Sequence, residues 1–429
     1  MLGFYKKNLP QIAKRKDTKM KPYSIEISDN CSGLAEVDGF SLAGVACDIR
    51  NKNDMSRLDL ALVKLEKPSA AAGVFTTNDV KAAPVLTDIA HLSRTRTISA
   101  IVANSGNANA CTGEEGLRDA SEMCAKVAAG LSVDKTQVLV CSTGRIGERM
   151  PMEKVSKGIE EALKQAAPTK ENGLKAANAI LTSDTKIKVV CAKVLCEGRM
   201  FTVAGMAKGA GMIEPNMATM LCFIGSDVDA SQSTIKQALS FAVSKSFNRI
   251  TIDGDMSTND TVLAVCSAKS GILVEPNTVF FEAYKEALTA VCRELARKIV
   301  ADGERITKVV EMRVKGASSP EQAEKICRAI CNSLLVKSSW YGSDPNWGRL
   351  ADAAGYARTG LDFSKMDLHY DNIAVLKQGE PQVQNKASWK EVVSRKEFVI
   401  TMNLNLGDFE ESLLTTDLSE AYVDFNKGE

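Results

Sequence analysis

The chain has 429 residues, 45% of them hydrophobic and 25% charged, with a formal net charge of +1. That length holds two domains, or one large domain with an appendage; the near-neutral balance gives no general attraction to nucleic acid or to an anionic membrane. Apolar stretches are short and interrupted, none near the roughly 20 residues that a spanning helix needs.

Residues 1–22 are rich in lysine, with Asp17 as the only acid. Leu2-Gly-Phe-Tyr5 is too short an apolar core for a secretory signal. The segment reads as a flexible or mis-annotated extension, with an organellar presequence as the alternative; the expected location is cytoplasmic, organellar as second choice. The apolar runs Ile98–Ala103 and Gln137–Cys141 read as strands buried on both faces. Each is followed by a polar, Gly-containing loop and a helical pattern, over 114–131 and 153–166. Lys186–Leu195 and Met200–Ala204 flank Glu197-Gly198, a hairpin signal. Thr219–Ile224 reads as a strand, and 231–247 and 277–301 as helices. After Glu304 the texture changes: a strand over 309–314, a helix over 320–335, and strands near 373–376 and 398–406. The expected class is mixed α/β, with a main catalytic domain over 23–305 and a smaller α/β domain over 306–429.

Twelve cysteines occur without a Cys-x-x-Cys pair, beside two histidines, His91 and His369. Reduced, mostly buried thiols and no metal site are expected. Both histidines lie outside every Gly-rich segment, which disfavours a Ser-His-Asp or Cys-His apparatus. The segment Lys208-Gly-Ala-Gly-Met-Ile-Glu-Pro-Asn-Met-Ala-Thr-Met-Leu221 offers another chemistry. It sets Thr219 behind the small residue Ala218. A threonine hydroxyl is a weak nucleophile until a base sits beside it. If the chain breaks at Ala218–Thr219, the freed α-amino group of Thr219, with an ordinary pKa of about 7.7–8.0, is that base. Taken alone, the segment also reads as a loop entering a strand.

This segment resembles the self-cleavage motif of the ornithine acetyltransferase family, the bifunctional glutamate N-acetyltransferases of arginine biosynthesis. The likeness runs from about Gly39 to Asn426. It includes Gly39–Val45, Ala72–Asn78, Lys81–Val85, Asn104–Gly113, Ser142–Gly147, Phe247–Asp255, Ser257–Thr261 and Asp344–Arg349, in the family's order. The resemblance implies two sheets sandwiched between helix layers. It implies Thr219 as nucleophile, Thr143 and Gly144 as oxyanion hole, and Thr182, Lys208, Glu304 and Asn426 as substrate-binding residues together with Thr219. It also implies transfer of acetyl from N2-acetylornithine to glutamate by a ping-pong route. No cofactor is expected, with acetyl-CoA as an optional co-substrate. The partners expected are the small-molecule substrates and the two self-cleaved chains as an α2β2 assembly. A self-cleaving aminopeptidase or amidase on the related fold is the alternative.

Two departures from the family pattern stand out. Gly303-Glu-Arg-Ile-Thr-Lys308 replaces the usual Gly-Glu-Gly-Ala-Thr-Lys, which puts Arg305 and Ile306 beside Glu304. Arg305 is expected either to pair with Glu304 and narrow substrate choice, or to point to solvent. The chain also stops at Lys427-Gly-Glu429, short of the family's terminal Ser or Thr, so that substrate contact is not carried over. Without the resemblance, Lys208 and Glu304 read as solvated surface charges.

Overall fold

A computed structural model of the chain describes residues 21–214 and 220–428. The first unit contains β1 (Tyr23–Ser28), β2 (Phe40–Val45), β3 (Leu60–Phe75), α1 (Ala83–Arg94), β4 (Thr97–Asn107), α2 (Gly113–Leu131) and β5 (Val138–Arg145). It continues with α3 (Met152–Gln165), α4 (Lys170–Ala179), β6 (Lys188–Cys196), β7 (Arg199–Lys208), β8 (Leu221–Ser226), β9 (Asp229–Ala230), α5 (Gln232–Ser244), β10 (Thr261–Cys266), β11 (Leu273–Val274) and α6 (Val279–Ala301). The main ladder runs β1-β6-β7-β8-β10-β3-β4-β5, with β2 also on β3, while β9 and β11 make a separate short pair.

Strand β3 explains the architecture. Its first part, Leu60–Leu65, pairs with β2, and its last part, Ala70–Phe75, pairs with β10. The register with β4 slips between Lys64 and Ser69, where Glu66, Lys67 and Pro68 are exposed. Proline has no N–H for a ladder, so the pairing is interrupted there. The two halves of the ladder share one interior: Leu42, Val63, Ile101 and Leu139 belong to the same buried cluster as Cys191, Met206, Phe223 and Leu263. The opposite face of β2–β5, with Val45, Leu62, Val102 and Val140, packs on Met123 and Val127 of α2 and Ile159 of α3. The opposite face of the other half, with Val190, Val203, Ile224 and Val262, packs on Leu239 of α5 and Val291 of α6. The molecule therefore has two sheets between helix layers, as expected, and β3 links the two sheets into one continuous ladder. Burial on both faces is why the strands read as unbroken apolar runs.

Local chemistry sets the element ends. Glu197 (φ 48°) and Gly198 (φ 76°) both take the left-handed region that a two-residue hairpin turn requires. Ser231, Thr278 and Ser319 accept hydrogen bonds from the backbone N–H groups of Thr234, Phe281 and Gln322, which opens their helices. The outer edge of β5 is covered by α1: Asp88 Oδ1 accepts from Val140 N at 2.7 Å, and His91 Nδ1 bonds Val138 O at 2.8 Å. His91 thus has a structural task, and burial lowers its basicity.

The second unit contains β12 (Val309–Ala317), α7 (Pro320–Cys331), α8 (Leu334–Tyr341), α9 (Trp347–Tyr356), β13 (Asp367–Tyr370), β14 (Ile373–Lys377), β15 (Glu380–Pro381), α10 (Lys386–Val393), β16 (Glu397–Asn403) and β17 (Phe409–Thr416). Its sheet order is β15-β14-β13-β16-β12-β17, over a core that includes Met312, Ile326, Trp340 and Ile400. The single helix expected over 320–335 is two helices. The first ends at Cys331 with Asn332 as its C-cap, and Ser333 starts the second by accepting from Val336 N at 3.3 Å. The chain then returns to the first unit as α11 (Glu420–Phe425), where Tyr422 Oη donates to Asp253 Oδ2 at 3.2 Å.

Candidate active site

A cavity of about 640 Å³ opens where β5 and β7 end and where α11 returns. Thr143, Gly144, Thr182, Lys208, Glu304 and Asn426 all line it. These six residues come from five places between residues 143 and 426, and the fold brings them together. Ala218 and Thr219 lie outside the described residues, as does the start of the strand expected from Thr219. The flanking residues Met212 and Met220 are held in place: Asp253 Oδ2 accepts from Met212 N at 2.6 Å, and Asp260 Oδ1 from Met220 N at 2.9 Å.

Thr143 is 3% exposed, and its Oγ1 lies 3.3 Å from Lys208 Nζ. An ammonium only donates, so Thr143 Oγ1 accepts from Lys208 and its own proton is directed elsewhere. Gly144 has φ 136°, and a Cβ there would lie 2.3 Å from the carbonyl carbon of Gly106. No residue with a side chain fits without moving the backbone of β4.

Lys208 is not a surface charge. It is 2% exposed, at the end of β7, and the same end of the β6–β7 hairpin carries Lys188. Asp184 lies between them, 2.7 Å from Lys188 Nζ and 3.9 Å from Lys208 Nζ. Lys188 also reaches Asp302 at 2.6 Å. Burial works against the charge of Asp184, but Lys208, Lys188 and the Gly209 N–H outweigh it and hold the carboxyl well below its usual range. Burial pulls Lys208 below the ordinary ammonium value, and Asp184 only partly offsets this.

Glu304 is half-buried rather than solvated. Its Oε1 accepts from Ser183 Oγ at 2.5 Å, and its Oε2 lies 3.4 Å from Asn426 Nδ2. Gly211 makes room for it, because a Cβ at that position would lie 2.5 Å from Glu304 Cδ. Arg305 is exposed, as in the second of its two expected courses. Its guanidinium stacks over the Phe425 ring, 4.8 Å from the centroid, and Phe425 is itself a wall of the cavity. Its φ of 55° lies in the left-handed region, which glycine adopts without strain.

Sequence reading missed Asp184, Lys188, Asp302, Asp253, Tyr422 and Asp260 as parts of this region. Lys188 is the visible signal, a buried lysine at the head of a largely apolar strand. Asp260 sits inside Ser257–Thr261, a segment that carried the resemblance but no assigned role. It is fully buried, and its Oδ2 has no hydrogen-bond partner among the described residues. Burial pushes its carboxyl well up, against the opposing pull of the Met220 N–H and Lys208. Of the twelve cysteines, ten are buried, Cys31 is half-buried and Cys111 is exposed.

Comparison with known proteins fixes the lineage. The ArgJ family model matches residues 41–428. The chain belongs to the ArgJ family. It is 43% identical to the arginine biosynthesis bifunctional protein ArgJ of Symbiobacterium thermophilum over 399 residues, covering 92% of this chain and 97% of the relative. It is 44% identical to the protein of the same name from Thermotoga neapolitana over 395 residues, covering 90% and 98%. Among solved structures, ornithine acetyltransferase from Mycobacterium tuberculosis complexed with ornithine matches at 41% identity and a TM-score of 0.41, over 45% of this chain and 98% of that one. As an ArgJ-family member the chain is an enzyme, an acetyltransferase of arginine biosynthesis. No helix among the described residues is long and apolar enough to cross a membrane.

Proposed function

We propose that the enzyme transfers acetyl from N2-acetylornithine to glutamate, through acetyl-Thr219 formed after self-cleavage at Ala218–Thr219. The observation that carries this reading is the convergence of Thr143, Gly144, Thr182, Lys208, Glu304 and Asn426 on one cavity. In the first half-reaction Thr219 Oγ attacks the acetyl carbonyl while the α-amino group of Thr219 takes its proton. The tetrahedral oxyanion receives hydrogen bonds from the Thr143 hydroxyl and the Gly144 N–H. Lys208 supports this, since its occupation of a Thr143 lone pair turns the hydroxyl proton outward. The intermediate collapses with loss of ornithine, whose leaving nitrogen regains the proton. In the second half-reaction the amino group of glutamate attacks the ester and releases N-acetylglutamate.

The charges suit both substrates. Lys208 serves an α-carboxylate, and Glu304 serves the distal ammonium of ornithine. The same hydroxyl and N–H serve self-cleavage, in which Thr219 Oγ attacks the Ala218 carbonyl and water opens the resulting ester. No cofactor is needed, because one acetyl amide is exchanged for another, and acetyl-CoA belongs to the proposal as a second donor. The mature enzyme is proposed as an α2β2 assembly of the chains 1–218 and 219–429, working in the cytoplasm. The test is mass spectrometry of enzyme incubated with N2-acetylornithine alone. A peptide beginning at Thr219 should gain one acetyl group and lose it on addition of glutamate, with N-acetylglutamate formed. Turnover with no acetyl on that peptide, under single-turnover quench, would refute the covalent route.

A further inference from the structure

The backbone at Met212 and Ile213, close before residues 215–219, is held by parts of the chain that come later. Asp253 accepts from both Met212 N and Ile213 N, at 2.6 and 2.8 Å. Ile213 O accepts from Ile252 N at 2.8 Å. Residues 250–252 are in turn held by the second unit, where Ile250 bridges Leu414 of β17 and Thr251 N donates to Leu414 O at 2.9 Å. The second unit also reaches Glu214 directly. Arg328 on α7 places Nη1 3.2 Å from Glu214 Oε1, with side-chain exposures of only 19% and 14%. The same guanidinium is fixed by Glu324, at 2.7 Å from Nη2, and reaches Asn248 O at 3.4 Å.

We infer that Arg328 is a positioning residue for self-cleavage, and that folding of the second unit licenses the cut. This rests on the self-cleavage reading above. Intramolecular attack needs the hydroxyl oxygen and the carbonyl carbon held about 3–3.5 Å apart. Anchoring the residue just before the segment supplies part of that constraint. Glu214 is anchored by Arg328, so the constraint is absent until α7 has formed and packed.

The topology shows what the delay prevents. β7 lies before the cut and pairs with β8 after it, and β3 before the cut pairs with β10 after it. A cut made before the ladder closes would divide its strands between two unassembled chains. Ordering the cut after the second unit folds keeps the closed ladder as the only substrate for cleavage.

The experiment follows precursor conversion in full-length protein by denaturing electrophoresis and intact mass, with thermal melts as a check on folding. Arg328→Gln should slow cleavage ~10-fold or more, and Arg328→Lys, which keeps charge but loses the fork, should fall between. Glu214→Gln leaves the Arg328–Glu324 pair intact and should slow cleavage as well; it carries the test if Arg328→Gln does not fold. The charge exchange Glu214→Arg with Arg328→Glu should recover part of the rate. Material that has matured from Arg328→Gln should show wild-type kcat and KM, because Arg328 does not line the cavity. Folded Arg328→Gln and Glu214→Gln that both mature at the wild-type rate overturn the inference, and so does a matured Arg328→Gln enzyme with reduced kcat. A wild-type chain that stays whole while active removes the cleavage reading and this inference together.

Discussion

Thr143→Ala separates a transition-state role for the buried hydroxyl from a structural one. The side chain is 3% exposed, and its Oγ1 accepts a hydrogen bond from Lys208 Nζ at 3.3 Å. Two costs follow, and they appear in different measurements. Removing the acceptor leaves Lys208 with Asp184, 3.9 Å away, as its nearest anion. An unsatisfied buried donor costs roughly 1–3 kcal/mol, and that cost is shared by free enzyme, complex and transition state. It should therefore lower the melting temperature and leave kcat alone. Losing one donor to an oxyanion costs ~10²–10³ in rate, about 2.7–4 kcal/mol, and only in the transition state. Matured Thr143→Ala should lose kcat by that factor, with KM within a few-fold of wild type. Self-cleavage, which passes through its own oxyanion, should slow as well. Thr143→Ser retains the oxygen and should stay within ~10-fold of wild type in both steps. The assay is steady-state formation of N-acetylglutamate on fully cleaved protein, beside a precursor-conversion time course. An alanine variant that melts lower but turns over at full speed would remove Thr143 from the chemistry.

Three further outcomes are expected. Gly211→Ala drives a methyl group to 2.5 Å from Glu304 Cδ; because that carboxylate is the end of a flexible side chain, the fold should survive while KM for N2-acetylornithine rises ~10-fold in initial-rate assays. Arg305→Gly should leave the melting temperature nearly unchanged, since loss of the stack on Phe425, about 0.5–1 kcal/mol, is offset by relief of the φ of 55°; the released Phe425 wall should instead change KM. Lys337, buried in the second unit, is lowered by that burial to about 8 from an ordinary 10.5. Between those values the unfolded chain holds the proton more often than the folded one, so this group makes stability rise with pH across the window, by about 3 kcal/mol in all. Lys337→Met should flatten that rise in denaturant melts taken from pH 7.5 to 10.

The parts of the molecule that were legible in the sequence are those where one signal is enough. Ser231 and Thr278 open helices with a single cap, and Glu197-Gly198 makes a hairpin from two residues. The longest strand was not legible. No strand was read over residues 60–75, yet the β3 backbone continues through Glu66-Lys67-Pro68 as the link between two sheets. The strand exists there because of the partners on either side of the bend, and a local pattern cannot report these. The site divides in the same way. Lys208 reads as a surface lysine because its three companions, Asp184, Lys188 and Asp302, are spread over a loop, a strand and a helix end. Arg305 left two courses open in the sequence, an ion pair with Glu304 or a solvent-facing side chain. It is exposed, and what no local pattern could report is its stack on Phe425, from a segment more than a hundred residues later.

The four buried charges at the head of the β6–β7 hairpin show why such a costly arrangement suits this site. Two lysines and two aspartates balance in sign, and all four side chains are under 7% exposed. Buried pairs of this kind add little stability over apolar packing, so stability alone is a poor reason for them. Their distances point to another purpose. Lys188 is held tightly by both carboxylates, at 2.7 and 2.6 Å, whereas Lys208 is 3.9 Å from Asp184. Had Lys208 made the close pair, its ammonium would be engaged by Asp184 and drawn away from Thr143. Because Lys188 satisfies Asp184 instead, Lys208 keeps a donor for Thr143 and, in the proposed function, for an incoming carboxylate. Lys188 touches nothing in the cavity, but by occupying Asp184 it leaves Lys208 free to act there.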